Sequence, residues 1–273
     1  MNNATSRLMQ RGKRAALVDL GKFLVLVALL AWFVARGTEQ LGYNWQWYRI
    51  PRFLYYFENG SLHAGLLLQG LEVTLRITGA AFVLAFVFGL VTAMFRLSSS
   101  FMANVLARFY LETIRNTPLL IQLFFAYFVV GPILGMSGFW ASVLALSLFE
   151  GAYASEIFRA GIASIDDGQW EAAESLGGGT WFTYREVILP QAVPRIVPPL
   201  ASQAVSLVKD SALVSTVAVY DLTMQGQSIV SDTFLTFEVW FTVAAIYLVL
   251  TLGLSGLISL IDKRLKGDWN HSV

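Results

Sequence analysis

Three ionisable side chains stand in stretches that are otherwise apolar: Glu150, Lys209 and Asp210. Charge in hydrocarbon is costly, so such groups usually face a bundle interior or a path through it. The ammonium group of Lys209, near a break in its helix, has the chemistry to meet a carboxylate on a passing solute. It has equally the chemistry to pair internally with Asp210 or Glu150. Glu150 carries the same two readings: a wall of a path, or a structural hydrogen bond. Catalysis finds no constellation. The chain has no H-E-x-x-H, G-x-S-x-G or D-D-x-x-D, and Asp166-Asp167 is its only adjacent acidic pair. The absence of cysteine excludes thiol catalysis and cysteine-held metal, and His63 and His271 alone make a histidine metal site a poor expectation. Gly177-Gly-Gly-Thr180 is glycine-rich but has no following lysine, and no G-x-x-x-x-G-K-[ST] cradle for nucleotide phosphates occurs.

These side chains must be positioned by membrane helices. The chain has 273 residues, 56% hydrophobic and 14% charged, with a formal net charge of +1. Soluble domains sit near ~45–50% apolar and ~25% charged. A spanning helix needs ~20 apolar residues. Residues 17–35 reach that length if Lys22 snorkels. Ile77–Phe95 is uncharged, as is Val239–Ile261. Asn116–Phe149 is uncharged but too long for one span, and Gly131-Pro132, Gly135 and Gly138 divide it. A last span, from Arg195 toward Ser215, is expected to be broken at Pro198-Pro199 and at Lys209-Asp210. The reading is an all-α integral membrane protein with six transmembrane helices. Gly79, Gly89, Gly151 and Ala154 read as helix-packing positions. Glu72 and Arg76, four apart, read as an ion pair at the outer end of the second span.

Basic residues set the orientation. Arg7, Arg11, Lys13 and Arg14 precede the first span, and Lys263, Arg264 and Lys266 follow the last, so both termini are expected in the cytoplasm. A cleaved signal peptide is the rival reading of the N-terminus, but Phe33 spoils the cleavage signature. The first outer segment breaks the charge rule with Arg36, Arg49 and Arg52. It also carries Trp45, Trp47, Tyr48, Tyr55 and Tyr56, which favours an interfacial position along the outer surface.

The longest inner polar segment runs from Arg159 to Pro194. Ser164 and Asp167 have the side chains to cap a helix over about 168–176, and Gly177 is placed to end it. That helix would expose a small-residue face at Ala172 and Ala173. On these residues alone, insertion into a partner's groove and rest on the membrane surface are equal readings. Glu156 and Arg159 are spaced to pair beside this loop, with Arg115 as a further inner-surface scaffold.

The segment resembles a known family. Glu171-Ala-Ala, three residues, Gly177, nine residues and Val187-x-Leu-Pro190 match the EAA loop of type I ABC importer permeases, with Val187 where isoleucine is usual. Glu112-Thr-Ile-Arg-Asn-Thr-Pro-Leu-Leu-Ile-Gln122, Ala152-Tyr-Ala-Ser-Glu-Ile-Phe-Arg159 with Gly168-Gln169, and Leu207-Val-Lys-Asp-Ser-Ala-Leu213 resemble segments of its polar amino acid branch.

The resemblance covers about Gly65 to Leu265; outside it, residues 1–16 read as a basic cytoplasmic N-terminus, 17–35 as an extra helix and 36–64 as an aromatic outer segment. Residues 65–265 would be the permease core of five helices, with a coupling loop over 161–190 between helices 4 and 5, and 266–273 a cytoplasmic tail. It implies ATPase coupling through Gln169, Glu171, Ala172, Ala173, Gly177, Leu189 and Pro190, supported by Glu156, Arg159 and Arg115. Lys209, Asp210 and Glu150 are the candidates for the substrate path or gate. The chain would hold no cofactor, and ATP-Mg would sit on a partner. The implied partners are two ABC ATPase subunits, a second permease in a homo- or heterodimer, an extracytoplasmic amino acid-binding protein, the amino acid (acidic or amide type) and the bilayer, with no nucleic acid. The implied location is the bacterial inner membrane. An ion-gradient-driven secondary transporter is the alternative, although no inverted repeat is evident.

Overall fold

The computed structural model describes residues 18–33, 35–37, 42–58 and 60–270, with side chains described up to 260. Arg7, Arg11, Lys13, Arg14, Lys263, Arg264, Lys266 and the expected terminal tails therefore lie outside the described side chains. The chain divides into two units, Met1–Trp47 and Tyr48–Val273. The first holds α1 (Val18–Gly37), an apolar helix long enough to cross a membrane. Lys22 pairs there with Asp19 at 3.4 Å, and Trp45 stacks on Trp47.

The second unit opens with a short helix α2 (Pro51–Leu54) and an antiparallel hairpin, β1 (Tyr55–Glu58) and β2 (Ser61–Ala64). The all-helical reading missed the hairpin. Its signal is Asn59-Gly60, because a two-residue hairpin turn requires positive φ, and Gly60 sits at +79°. Then follow α3 (Leu66–Leu97), α4 (Phe101–Arg115), α5 (Leu119–Phe125) and α6 (Gly131–Leu134), the last two joined by a π-type turn. Next come α7 (Gly138–Ala163), α8 (Asp167–Ser175), α9 (Thr180–Phe182), α10 (Leu189–Asp210), α11 (Leu222–Thr233) and α12 (Thr236–Asn270).

Among the described residues, α1, α3, α7 and α12 are each long and apolar enough to cross a membrane. A fifth crossing arises if α4 and Leu119–Leu134, bent by 104°, count together. The predicted division of Asn116–Phe149 is present: Gly135 adopts φ +64° and ends α6 before α7 begins at Gly138.

The core forms where α3 and α7 lie side by side. A Cβ on Gly89 would stand 2.7 Å from the Ala154 methyl, and one on Gly151 would stand 2.9 Å from the Phe88 Cβ. The two backbones approach because neither glycine has a side chain. Gly79 differs from expectation: nothing lies within 4 Å of its Cβ position, so it faces outward. Glu72 and Arg76 pair as expected, at 2.5 Å, and stay exposed.

The prolines of α10 do not break it. Pro194, Pro198 and Pro199 lie inside one helix that ends at Asp210, and the break follows in a 3₁₀ segment Ser211–Val217. Each proline removes one backbone donor. Burial of Ile196 and Leu200 in the cluster with Phe158 and Ile162 holds the helix through them.

Asp221 caps α11, its Oδ1 accepting the Met224 N–H at 2.8 Å, and the Tyr247 hydroxyl donates to Oδ2 at 3.4 Å. Burial pushes its carboxyl from 3.8 up to about 6. The native state thus holds the proton more tightly than the unfolded chain. That contribution is fully present below pH 3.8 and is lost as pH rises through about 6. Asp221→Asn keeps a capping oxygen but not the titration. Relative to wild type, the variant should gain about 1.4 kcal/mol between pH 5 and 8. Melting curves at both pH values check it.

Candidate functional site

Glu150 is the thirteenth of the 26 residues of α7, at the helix midpoint. Its side chain is 1% exposed. The Gln203 amide, from α10, donates to Glu150 Oε2, while Oε1 has no partner among the described residues. A buried carboxylate oxygen without a partner is expensive and calls for an explanation. Asp210, at the end of α10, lies beside Glu150. Lys209 is exposed and lies beyond salt-bridge distance of both carboxylates among the described residues, but its ammonium acts electrostatically on the neighbouring Asp210 carboxyl. Phe82, Ala85 and Phe86 of α3 and Leu207 of α10 complete the surroundings, around a void of about 10 Å³. That volume holds about one water.

One and a half turns further along α7, Glu156 gathers three arginines. Arg96 from the end of α3 donates to Oε1, Arg115 from the end of α4 approaches Oε1 at 3.5 Å, and Arg159 bonds Oε2 at 3.1 Å. The predicted Glu156–Arg159 pair is therefore one spoke of a node tying three helices together. Arg115 also lies 5.5 Å from the Tyr153 ring. Glu156→Ala should lower stability by about 2 kcal/mol, since it leaves three guanidiniums facing one another in a half-buried setting. A drop in melting temperature of ~5 °C in detergent, absent in Glu72→Ala, checks this.

The same end of the bundle carries the loop. Asp166, rather than Ser164 or Asp167, caps α8, accepting the Gly168 N–H at 2.9 Å. The Ser164 hydroxyl is engaged elsewhere, donating to the Gly161 carbonyl and accepting from Arg195 at 2.8 Å. Gly177 ends the helix at φ +75° as expected. Its N–H donates to the Glu174 carbonyl and that of Gly178 to the Ala173 carbonyl, a Schellman arrangement. Ala172 is exposed, but Ala173 is buried beneath the helix, so the expected small-residue face is half turned inward. Trp170 packs edge-on against Tyr184 and anchors that inner face. Gln169 accepts from the Gln191 amide at 3.1 Å, tying α8 to the start of α10. Glu171, Leu189 and Pro190 are exposed. Leu176, 81% exposed, and Trp181, 74% exposed, project beside Glu171 and Glu174. Such apolar groups among carboxylates have the character of a contact surface.

The structure therefore separates two sets of residues, the buried Glu150 at the middle of α7 with the part-buried Asp210 at the end of α10, and an exposed loop at one end. Sequence reasoning missed Gln203 and the contribution of Arg96. Neither has a local signal, because their partners lie 53 and 60 residues away.

Residues 85–267 match the family model of the binding-protein-dependent transport system inner membrane component. The chain is 37% identical over 204 residues to the glutamine transport system permease protein GlnP of Escherichia coli K12, covering 74% of this chain and 93% of that protein. It is 38% identical over 218 residues to the probable glutamine ABC transporter permease protein GlnM of Bacillus subtilis 168, covering 78% and 97%. Among solved structures, an amino acid ABC transporter with histidines matches at TM-score 0.68 and 41% identity, over 73% of this chain and 94% of that one. The inward-facing MetNI methionine ABC transporter, 21% identical at TM-score 0.65, shares the fold. The chain belongs to the binding-protein-dependent transport system inner membrane component family: it is a type I ABC importer permease subunit of the polar amino acid branch, itself not an enzyme.

Proposed function

We propose that this subunit passes an amide-type amino acid, glutamine first among them, across a bacterial inner membrane. The observation that carries this reading is the buried Glu150 carboxyl, whose Oε1 has no hydrogen-bond partner among the described residues, beside Asp210 with Lys209 as that residue's chain neighbour. Carboxylates match the ammonium of an amino acid and Lys209 matches its carboxylate. An acidic side chain would bring a further negative charge to Glu150 and Asp210, so the amide reading is preferred over the acidic one. The glutamine relatives support the same choice. One chain encloses only about 10 Å³ here, too little for an amino acid, so a second permease would supply the remaining wall.

In this reading six helices cross the membrane with both ends cytoplasmic, and α10 is the span too polar to stand out by hydropathy. The described aromatic residues Tyr48, Tyr55 and Phe57, all exposed, lie along the outer surface. An external binding protein delivers the substrate. Two ATPase subunits with ATP-Mg seat the exposed side of α8, through Gln169, Glu171, Ala172 and Gly177 with Leu189 and Pro190 behind them, and Arg115, Glu156 and Arg159 brace the loop. Lys209→Ala should reduce uptake about ten-fold through loss of one charged contact, with assembly unchanged. Radiolabelled uptake beside size-exclusion profiles tests it. Unaltered uptake would remove Lys209 from the path.

A further inference from the structure

We infer that the cavity between the ends of α3, α4 and α7 binds the phosphodiester headgroup of an anionic phospholipid. The cavity measures about 560 Å³ and is lined by Arg96, Arg108, Arg115, Glu112 and Glu156. Three guanidiniums and two carboxylates line it, an excess of one positive charge, and Arg159 pairs with Glu156 from outside the lining. Glu156 occupies Arg96, Arg115 and Arg159, whereas Arg108 is exposed and forms no ion pair among the described residues. Guanidinium groups present forked donors that suit phosphate oxygens.

The second observation is what adjoins the cavity. On α4, Phe101, Met102, Val105, Leu106 and Phe109 are all exposed and recur on one helix face, while Ala107 and Leu111 bury the opposite side in the bundle. Arg108, Glu112 and Arg115 run along the edge of that apolar stripe. The helix turns by 104° into Leu119–Leu134. If Leu119–Leu134 crosses the membrane, α4 lies close to the membrane plane, with apolar side chains toward the acyl chains and arginines at headgroup level. A molecule with a phosphate and acyl chains together satisfies both surfaces; a free anion satisfies only one. The cavity lies at the end of α7 that leads into α8, so the lipid belongs to the inner leaflet. That placement rests on the cytoplasmic position proposed for the loop.

The test uses the full-length chain purified in neutral detergent and titrated with short-chain phosphatidylglycerol, phosphatidylcholine of the same chain length, or inorganic phosphate. Retained lipid is read by native mass spectrometry. Phosphatidylglycerol should bind at least five-fold more tightly than phosphatidylcholine. Arg108→Gln should weaken that preference about five-fold, and Arg108→Lys should largely restore it. Arg108 is exposed and forms no ion pair among the described residues, so neither change threatens the fold. Equal binding of the two lipids, or a preference indifferent to Arg108→Gln, overturns the inference. Displacement of the lipid by millimolar phosphate assigns the site to a free anion and also overturns it. If Arg108→Gln instead separates paired permeases at constant lipid content, the face belongs to a second chain and the inference fails. None of these readouts requires transport, so a failed lipid site and a failed transport function are distinguished.

Discussion

Gly177→Asp is expected to cut ATP-dependent uptake about ten-fold while leaving a folded permease. The reasoning is local. Gly177 sits at φ +75°, where an L-residue costs ~1–2 kcal/mol, with aspartate among the better tolerated. No atom lies within 4 Å of its Cβ position, so the new side chain meets nothing in its own chain. The carboxylate would stand at the C-terminus of α8, where the helix dipole disfavours negative charge. A loss of ~1.4 kcal/mol at the contact with an ATPase is ten-fold in affinity. The permease should therefore purify folded, with a melting temperature lowered by only a few degrees, yet stimulate ATP hydrolysis poorly. Gly177→Ala, carrying the backbone strain without the charge, should show a smaller defect. Glu171→Ala should show a loss of the same kind, since its exposed carboxylate makes no hydrogen bond or ion pair among the described residues. Wild-type assembly and stimulated hydrolysis in all three variants would remove α8 from the coupling contact.

The second large effect is expected at Glu150. Glu150→Gln preserves size and retains a carbonyl oxygen to accept from the Gln203 amide, so the fold should hold. It removes the charge proposed to meet the substrate ammonium. A charged hydrogen bond contributes ~1.5–3 kcal/mol, so uptake should fall ~10–100-fold. Glu150→Ala should lose uptake and also stability, because it strands the Gln203 amide and opens a cavity between α7 and α10. The pair separates the two roles. If Glu150→Gln transports as wild type and only Glu150→Ala is impaired, Glu150 is a structural hydrogen-bond partner and not part of the path.

Features governed by neighbouring residues were legible in the sequence. The glycine break between α6 and α7, the Gly177 cap, the Glu72–Arg76 pair and the Glu156–Arg159 pair each depend on residues within about one helical turn or on a single φ. The misplacements arise where tertiary packing decides. Asp166 takes the cap from its neighbour Asp167 because it is the residue left in extended geometry before the helix. The prolines of α10 are accommodated because the helix is packed along α7, a compensation invisible to local propensity. Ala173 is buried because Trp170 and Tyr184 fix the roll of α8. The arginine node and Gln203 depend on contacts across the fold, which no periodicity encodes. The hairpin had a signal in Asn59-Gly60, overlooked because the chain was read for helices.

The division of roles also explains the charge distribution. A chain with 14% charged residues confines most of its described ion pairs and its exposed acidic loop to one end of the bundle. It leaves Glu150 at mid-helix as a buried carboxyl group whose Oε1 has no hydrogen-bond partner among the described residues. Structural economy alone would place a leucine there.

The central claim is that an amide-type amino acid crosses through this chain only when a partner hydrolyses ATP. The most direct measurement is uptake of radiolabelled glutamine into liposomes holding the reconstituted complex, with its binding protein outside and ATP inside. Glutamine should accumulate with ATP-Mg present, not with a non-hydrolysable analogue, and excess unlabelled asparagine should compete better than aspartate. Uptake that persists without the ATPase subunits and follows an imposed ion gradient would contradict the account.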